Sequence, residues 1–173
     1  MRHALLYISI SILLATANTH AECQTQESVA IPLDAITCIV RSFTDGDTVK
    51  LDCGGGPFAA RLHCIDAPEL AQTPWGERSR DNLKRITPAT VRVVEVERDR
   101  YNRSVVRIFD PATDTELSAR QVRDGAAAVY TKYCHDQALM DLQGIADAER
   151  IGIWATPGSH QTPWIFRRFN GAH

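Results

Sequence analysis

No Cys-x-x-Cys pair occurs in this sequence, so the ligand spacing of zinc ribbons and fingers is missing. The glycine run Gly54-Gly55-Gly56 has no Lys-Ser or Lys-Thr after it, which excludes the phosphate loop of nucleotide hydrolases. Charge of one sign is not in excess: 19 Lys and Arg stand against 21 Asp and Glu, a formal net charge of −2. A basic surface is the usual footprint of nucleic-acid binding, so any such site here must be a local patch. No apolar run reaches the roughly 20 residues of a membrane-spanning helix. Internal repeats and low-complexity stretches are lacking too. Ser104 and Ser118 have no evident base, and no cysteine sits in a recognisable catalytic motif, so a covalent nucleophile has no support.

What is present is the mix of an ordinary single domain: 173 residues, 44% hydrophobic and 23% charged. The longest apolar run, residues 4–15, follows Arg2 and His3 and precedes the small residues of Thr19-His20-Ala21. That order is the pattern of a secretory signal peptide, expected to span residues 1–21. Its removal would take away Arg2 and no acidic residue. Residues 22–35 have no clear period and read as a tail.

Five cysteines remain: Cys23, Cys38, Cys53, Cys64 and Cys134. In an oxidising compartment disulfides are expected. A two-residue turn at Asp45-Gly46 pairs residues whose numbers sum to 91, which sets Cys38 opposite Cys53. Opposed strand positions approach closely enough for a bridge. The odd count leaves one thiol without an intramolecular partner.

Strand signals run over residues 36–43, from Thr48 to Leu51, over 58–65, 91–97 and 103–109. Helix signals cover residues 75–86, a short stretch from Leu117 through the alanines 126–128 broken at Gly125, and 137–151, which Asp136 is placed to cap. The expected class is mainly β with α (α+β). Five short strands with an inserted helix, and about three helices in all, suit a small oligonucleotide-binding (OB) barrel over residues 36–155. The Pro-containing segment 156–173 reads as a C-terminal tail.

Two acidic segments stand out. Asp is a poor strand former, yet Asp47 opens a strand. Asp66 ends an apolar strand, where a carboxylate must be paired or bound to metal. Two aspartates at the ends of neighbouring strands can converge on a hard cation such as calcium or magnesium. Glu69, just past Pro68, is placed to act on a water. Asp45 reads as a turn residue. Arg61 and Arg103 have the donor geometry for phosphate, and Tyr130 and Tyr133 the faces for a base. Strict alternation sends Arg61 and Asp66 to opposite faces, so a shared site needs a bend between them.

These residues together resemble the staphylococcal nuclease (thermonuclease) family. The match runs through Asp45-Gly46-Asp47-Thr48-Val49-Lys50-Leu51 and Arg61-Leu62-His63-Cys64-Ile65-Asp66-Ala67-Pro68-Glu69. It continues through Asp99-Arg100-Tyr101-Asn102-Arg103 and Val122-Arg123-Asp124-Gly125, and closes at Gly152-Ile153-Trp154. The resemblance implies an OB barrel carrying a calcium-dependent phosphodiesterase. Asp47, Asp66 and the Ala67 carbonyl would hold calcium. Glu69 would be the general base or position the attacking water. Arg61 and Arg103 would hold the phosphate, and Arg100 and Tyr101 would lie along the substrate. Such enzymes cut DNA and RNA with little sequence preference and leave 3′-phosphates. Asn102 stands where the family has glycine, and the loop after Glu69 is shortened to about residues 70–75.

The expectation is therefore an exported, periplasmic or secreted nuclease acting on DNA or RNA. It would be a monomer with no stable membrane association once the signal is removed. The alternatives are a non-catalytic OB module that holds single strands, and an exported phosphodiesterase for small nucleotides. A pure binder has no need of Glu69.

Overall fold

The structure is a computed structural model that describes residues 30–171. The expected signal peptide, Cys23 and most of the 22–35 tail lie outside the described residues. Seven strands form: β1 (Ile36–Phe43), β2 (Thr48–Asp52), β3 (Pro57–Leu62), β4 (Ile65–Asp66), β5 (Thr90–Arg98), β6 (Ser104–Phe109) and β7 (Ala128–Val129). The helices are α1 (Trp75–Ile86), α2 (Leu117–Arg123), α3 (Gln137–Ala148) and α4 (Pro163–Asn170), with short 3-10 turns at Gly152–Trp154 and Ser159–Gln161.

Five strands close into a barrel in the order β1-β2-β3-β6-β5, and β4 pairs separately with β7. This is the α+β OB barrel that the strand signals predict. Its interior is filled from every strand. Val49, Leu51, Leu62, Val91, Val106 and Ile108 are all buried there, and Leu83 of α1 is buried in the same core. Four seams are antiparallel, but β3 and β6 run parallel, through Ala60↔Ser104, Arg61↔Val105 and Leu62↔Val106.

The first hairpin differs in detail from the expected two-residue turn. Thr44 N bonds Thr48 O at 2.9 Å, and Phe43 faces Val49, so three residues form the loop. A bulge between Val40 and Ser42 then shifts the register back, to Val40↔Leu51 and Ile39↔Asp52. The two offsets cancel, and Cys38 meets Cys53 in a disulfide as expected. Asp45 takes its turn role: its Oδ1 accepts from Asp47 N at 3.0 Å.

Three other expectations are corrected. The third strand does not run unbroken over residues 58–65; it stops at Leu62 and resumes as β4 after a turn at His63 and Cys64. The alanines 126–128 do not extend a helix: α2 ends at Arg123, and Ala128 starts β7. The tail at 156–173 is partly helical, because Pro163 opens α4 at its first turn and Gly171, at φ 63°, closes it. The segment 137–151 is helical through Ala148, with Asp136 accepting from Ala138 N and Leu139 N at 2.9 and 3.3 Å.

Candidate active site

The bend required between Arg61 and Asp66 lies in the break between β3 and β4. Cys64 sits there in the left-handed region, at φ 70°. Such a backbone is uncommon for a residue with a side chain. Two ties hold it: a disulfide to Cys134, and a 2.9 Å bond from Tyr130 N to Cys64 O. Ser118 Oγ donates to the neighbouring His63 carbonyl at 3.0 Å. The chain therefore leaves the bend with Asp66 facing the same space as Arg61.

Arg61 bridges the two acidic segments. Its Nη1 donates to Asp47 Oδ1 at 2.6 Å and its Nη2 to Asp66 Oδ1 at 2.5 Å. Asp66 is wholly buried, and Asp47 is 3% exposed. Asp47 Oδ1 also accepts from Thr48 Oγ1 at 2.9 Å, and its Oδ2 from Ala67 N at 2.9 Å. Gly46, just before Asp47, packs against α1. A Cβ there would lie 1.8 Å from Ser79 Oγ and 2.7 Å from Ala67 Cβ. Buried Gln121 locks the same turn through Nε2 to Gly46 O at 2.6 Å.

Glu69 stands on a turn that leads into α1. Gln72 N donates to Glu69 O at 2.8 Å, and Glu69 N to Gln72 Oε1 at 2.9 Å. Helix α1 presses close behind it: a Cβ on Gly76 would lie 2.1 Å from Glu69 O. Arg167 of α4 reaches in from the C-terminal segment. It donates to Glu69 Oε1 at 2.5 Å and to both Asp66 oxygens at 2.9 and 2.7 Å.

The charges are only partly balanced. Burial, and then the charge of Asp47, push Asp45 up to about 7. Burial and Asp47 also raise Asp66, against the opposing pull of Arg61 and Arg167. Burial alone would favour a neutral Arg61, but Asp47 and Asp66 outweigh it and keep that guanidinium charged. A carboxylate cluster that resists full ionisation is one that a further cation would stabilise. Its donors are all oxygen, the chemistry of a hard cation. Among the described residues no group of three or more His, Cys, Asp and Glu side chains is placed to hold a metal. Two carboxylates would need a backbone carbonyl and water to complete a shell.

Arg100, Tyr101 and Arg103 form a second cluster, joined to the first by no hydrogen bond among the described residues. Asp99 organises it. Its Oδ1 accepts from Tyr101 N and Arg103 N, each at 2.9 Å, and its Oδ2 from Arg103 Nε at 2.7 Å. Arg100 and Arg103 lie 4.7 and 5.5 Å from the centre of the exposed Tyr101 ring. Asn102 takes φ 61°, the backbone that Asn tolerates in place of glycine. Tyr130 packs edge-on to exposed Tyr133, with centroids 4.9 Å apart, and stacks on Trp164 of α4 at 5.0 Å.

Sequence reasoning missed Arg167 and Trp164, because no local pattern of chemistry marks a short segment placed in a tail. It also left the partner of Cys64 open; a separation of 70 residues in sequence gives no register from which to infer Cys134.

The family model described as staphylococcal nuclease homologue matches residues 59–156, over half of the chain. An uncharacterized endonuclease of Escherichia coli O157:H7 is 36% identical over 124 residues, 71% of this chain and 79% of that one. The micrococcal nuclease of Shigella flexneri is 33% identical over 134 residues, 72% of this chain and 76% of that one. An uncharacterized endonuclease of Haemophilus influenzae is 34% identical over 121 residues, and the match spans 66% of that protein, just under two thirds. With that coverage, and with the site segments set on an OB barrel in the expected order, the chain belongs to the staphylococcal nuclease homologue family.

Proposed function

We propose that this protein is an exported, calcium-dependent nuclease that hydrolyses DNA or RNA with little sequence preference and leaves 3′-phosphates. The observation that carries the reading is the convergence of Asp47, in the loop before β2, and Asp66, in β4, on the single guanidinium of Arg61. Relatives whose names are endonuclease and micrococcal nuclease support the same chemistry.

Asp47, Asp66 and the Ala67 carbonyl would hold calcium, which when bound supplies positive charge against the phosphoryl oxygens. Glu69 would take a proton from the attacking water or hold that water in line. Arg61 and Arg103 would donate paired hydrogen bonds to the phosphate as its charge grows. Arg100 and Tyr101 would lie along the chain of the substrate, with Tyr130 and Tyr133 offering faces to bases. Because the overall charge is slightly negative, this arginine cluster would supply the local attraction for a polyanion. Two disulfides suit export to a periplasm or beyond. The protein would act as a monomer. No helix among the described residues is long and apolar enough to cross a membrane.

Digestion of DNA and RNA with calcium, with magnesium alone and with a chelator tests the reading. Cutting should require calcium, and Glu69→Gln should reduce it by about 10²-fold or more. Undiminished cutting in chelator would reject the calcium role. If calcium produces binding without cutting, and Glu69→Gln binds as wild type does, the protein is the single-strand-binding module instead.

A further inference from the structure

Helix α4 presents two side chains on one face, three residues apart, and each covers a different part of the candidate site. Arg167 holds both oxygens of Asp66 and one of Glu69. Trp164 lies flat on Tyr130, with an interplanar angle of 11°. Ile165, Arg168 and Phe169 point outward and are exposed, Phe169 at 80%. Among the described residues, every side-chain hydrogen bond from α4 to another element comes from Arg167. The polar ties of the helix thus go to the site, while buried Pro163 anchors its first turn by packing. The segment before it is anchored independently, through His160 stacked on Trp75 at 4.4 Å and hydrogen-bonded to the carbonyls of Ile153 and Thr156.

We propose that α4 is an autoinhibitory strap: docked, its Arg167 and Trp164 occupy the carboxylates and the aromatic face that cation and nucleic acid would use, and calcium binding releases it. The inference rests on the calcium-nuclease reading above. With α4 docked, Asp66 Oδ1 already accepts from two guanidiniums and Oδ2 from one. A divalent cation needs those same lone pairs at about 2.3–2.6 Å, and it repels a guanidinium held there. Glu69 Oε1 is engaged by Arg167 at 2.5 Å, a lone pair that the attacking water would use. The face of Tyr130 under Trp164 is closed to a base. Calcium therefore binds the undocked form better, and that difference in affinity shifts the population.

Calorimetric titration of calcium chloride into the full protein, Arg167→Gln and Trp164→Ala tests this. Hydrogen exchange of residues 163–170, with and without calcium, supplies a second readout. If the strap is docked about nine-tenths of the time, Arg167→Gln binds calcium about tenfold more tightly. Trp164→Ala shifts in the same direction, and calcium accelerates exchange across 163–170 in the wild type. Equal or weaker calcium binding by Arg167→Gln, or exchange in 163–170 that calcium leaves unchanged, overturns the strap and leaves the nuclease reading standing. Failure of all three proteins to bind calcium overturns both.

Discussion

The Arg61 guanidinium donates to Asp66 at 2.5 Å across a turn whose pivot, Cys64, has a φ of 70°. Asp66 is wholly buried and Asp47 nearly so, and Arg61 serves both. Removing one partner of a buried pair leaves an uncompensated charge, which typically costs about 3–5 kcal/mol. Arg61→Ala is therefore expected to lower the urea midpoint by a loss of about that size, and calcium should restore part of it. A variant of unchanged stability would mean that Asp47 and Asp66 are balanced by something other than this guanidinium.

Asp99 should matter through Arg103. Burial raises its carboxyl, but this is outweighed by bonds from the Arg103 backbone, the Arg103 side chain and the Tyr101 backbone, and the net shift is down from 3.8. A depressed carboxyl contributes stability that is present above 3.8 and lost as pH falls through its lower value. Asp99→Asn should then cost at most about 1 kcal/mol at neutral pH, with the difference from wild type fading below pH 3.8. Nuclease turnover should fall by more than that stability loss explains, since Arg103 loses its bond to a charged carboxylate. Denaturation curves at several pH values, read beside rates at neutral pH, separate the two effects.

Two glycines hold the backbone where the carboxylates need it. A Cβ at Gly46 would meet the Ser79 hydroxyl, and one at Gly76 would meet the Glu69 carbonyl. Gly46→Ala should destabilise the protein by about 1–3 kcal/mol through overpacking. Gly76 is the second residue of α1 and not in its interior, so helix propensity does little to offset the clash with the Glu69 carbonyl. Gly76→Ala should consequently show a larger loss in rate than in melting temperature, as Glu69 is displaced. Equal losses would point to general unfolding.

The disulfides should differ in consequence. Cys64–Cys134 closes a separation of 70 residues and Cys38–Cys53 one of 15. Chain-entropy reasoning gives about 4 kcal/mol for the first and about 3 kcal/mol for the second. The paired Cys64→Ser and Cys134→Ser variant should also lose activity under conditions where it remains folded, because the bend before Asp66 is released. The Cys38 and Cys53 pair should affect stability with little change in rate. Melting curves and digestion assays on both double variants check this.

Much of the scaffold was legible because its signals are local. Trp75–Ile86 follows from a run of good helix formers ahead of Pro88, and the cap at Asp136 from a side-chain acceptor before a periodic segment. The Cys38–Cys53 pairing came out right through two errors that cancel: a loop one residue longer than expected, and a bulge near Arg41. A sum of residue numbers sees neither. Alternation failed between Arg61 and Asp66 because it assumes an unbroken strand, and a left-handed cysteine tied down by Cys134 and Tyr130 is a tertiary event. Arg167 was illegible for the same reason. Its partners lie about a hundred residues earlier, and only the folded chain brings them together.

The parallel seam between β3 and β6 is the shortest in the barrel, with three register pairs against six between β5 and β6. Parallel pairing is also slightly weaker per residue than antiparallel. Arg61 lies in one of these strands and Arg103 immediately precedes the other. Any anion that bridges the two guanidiniums therefore spans the barrel's thinnest join. Under the proposed function, a phosphate held by both would tie these two strands together and by mass action favour the folded barrel.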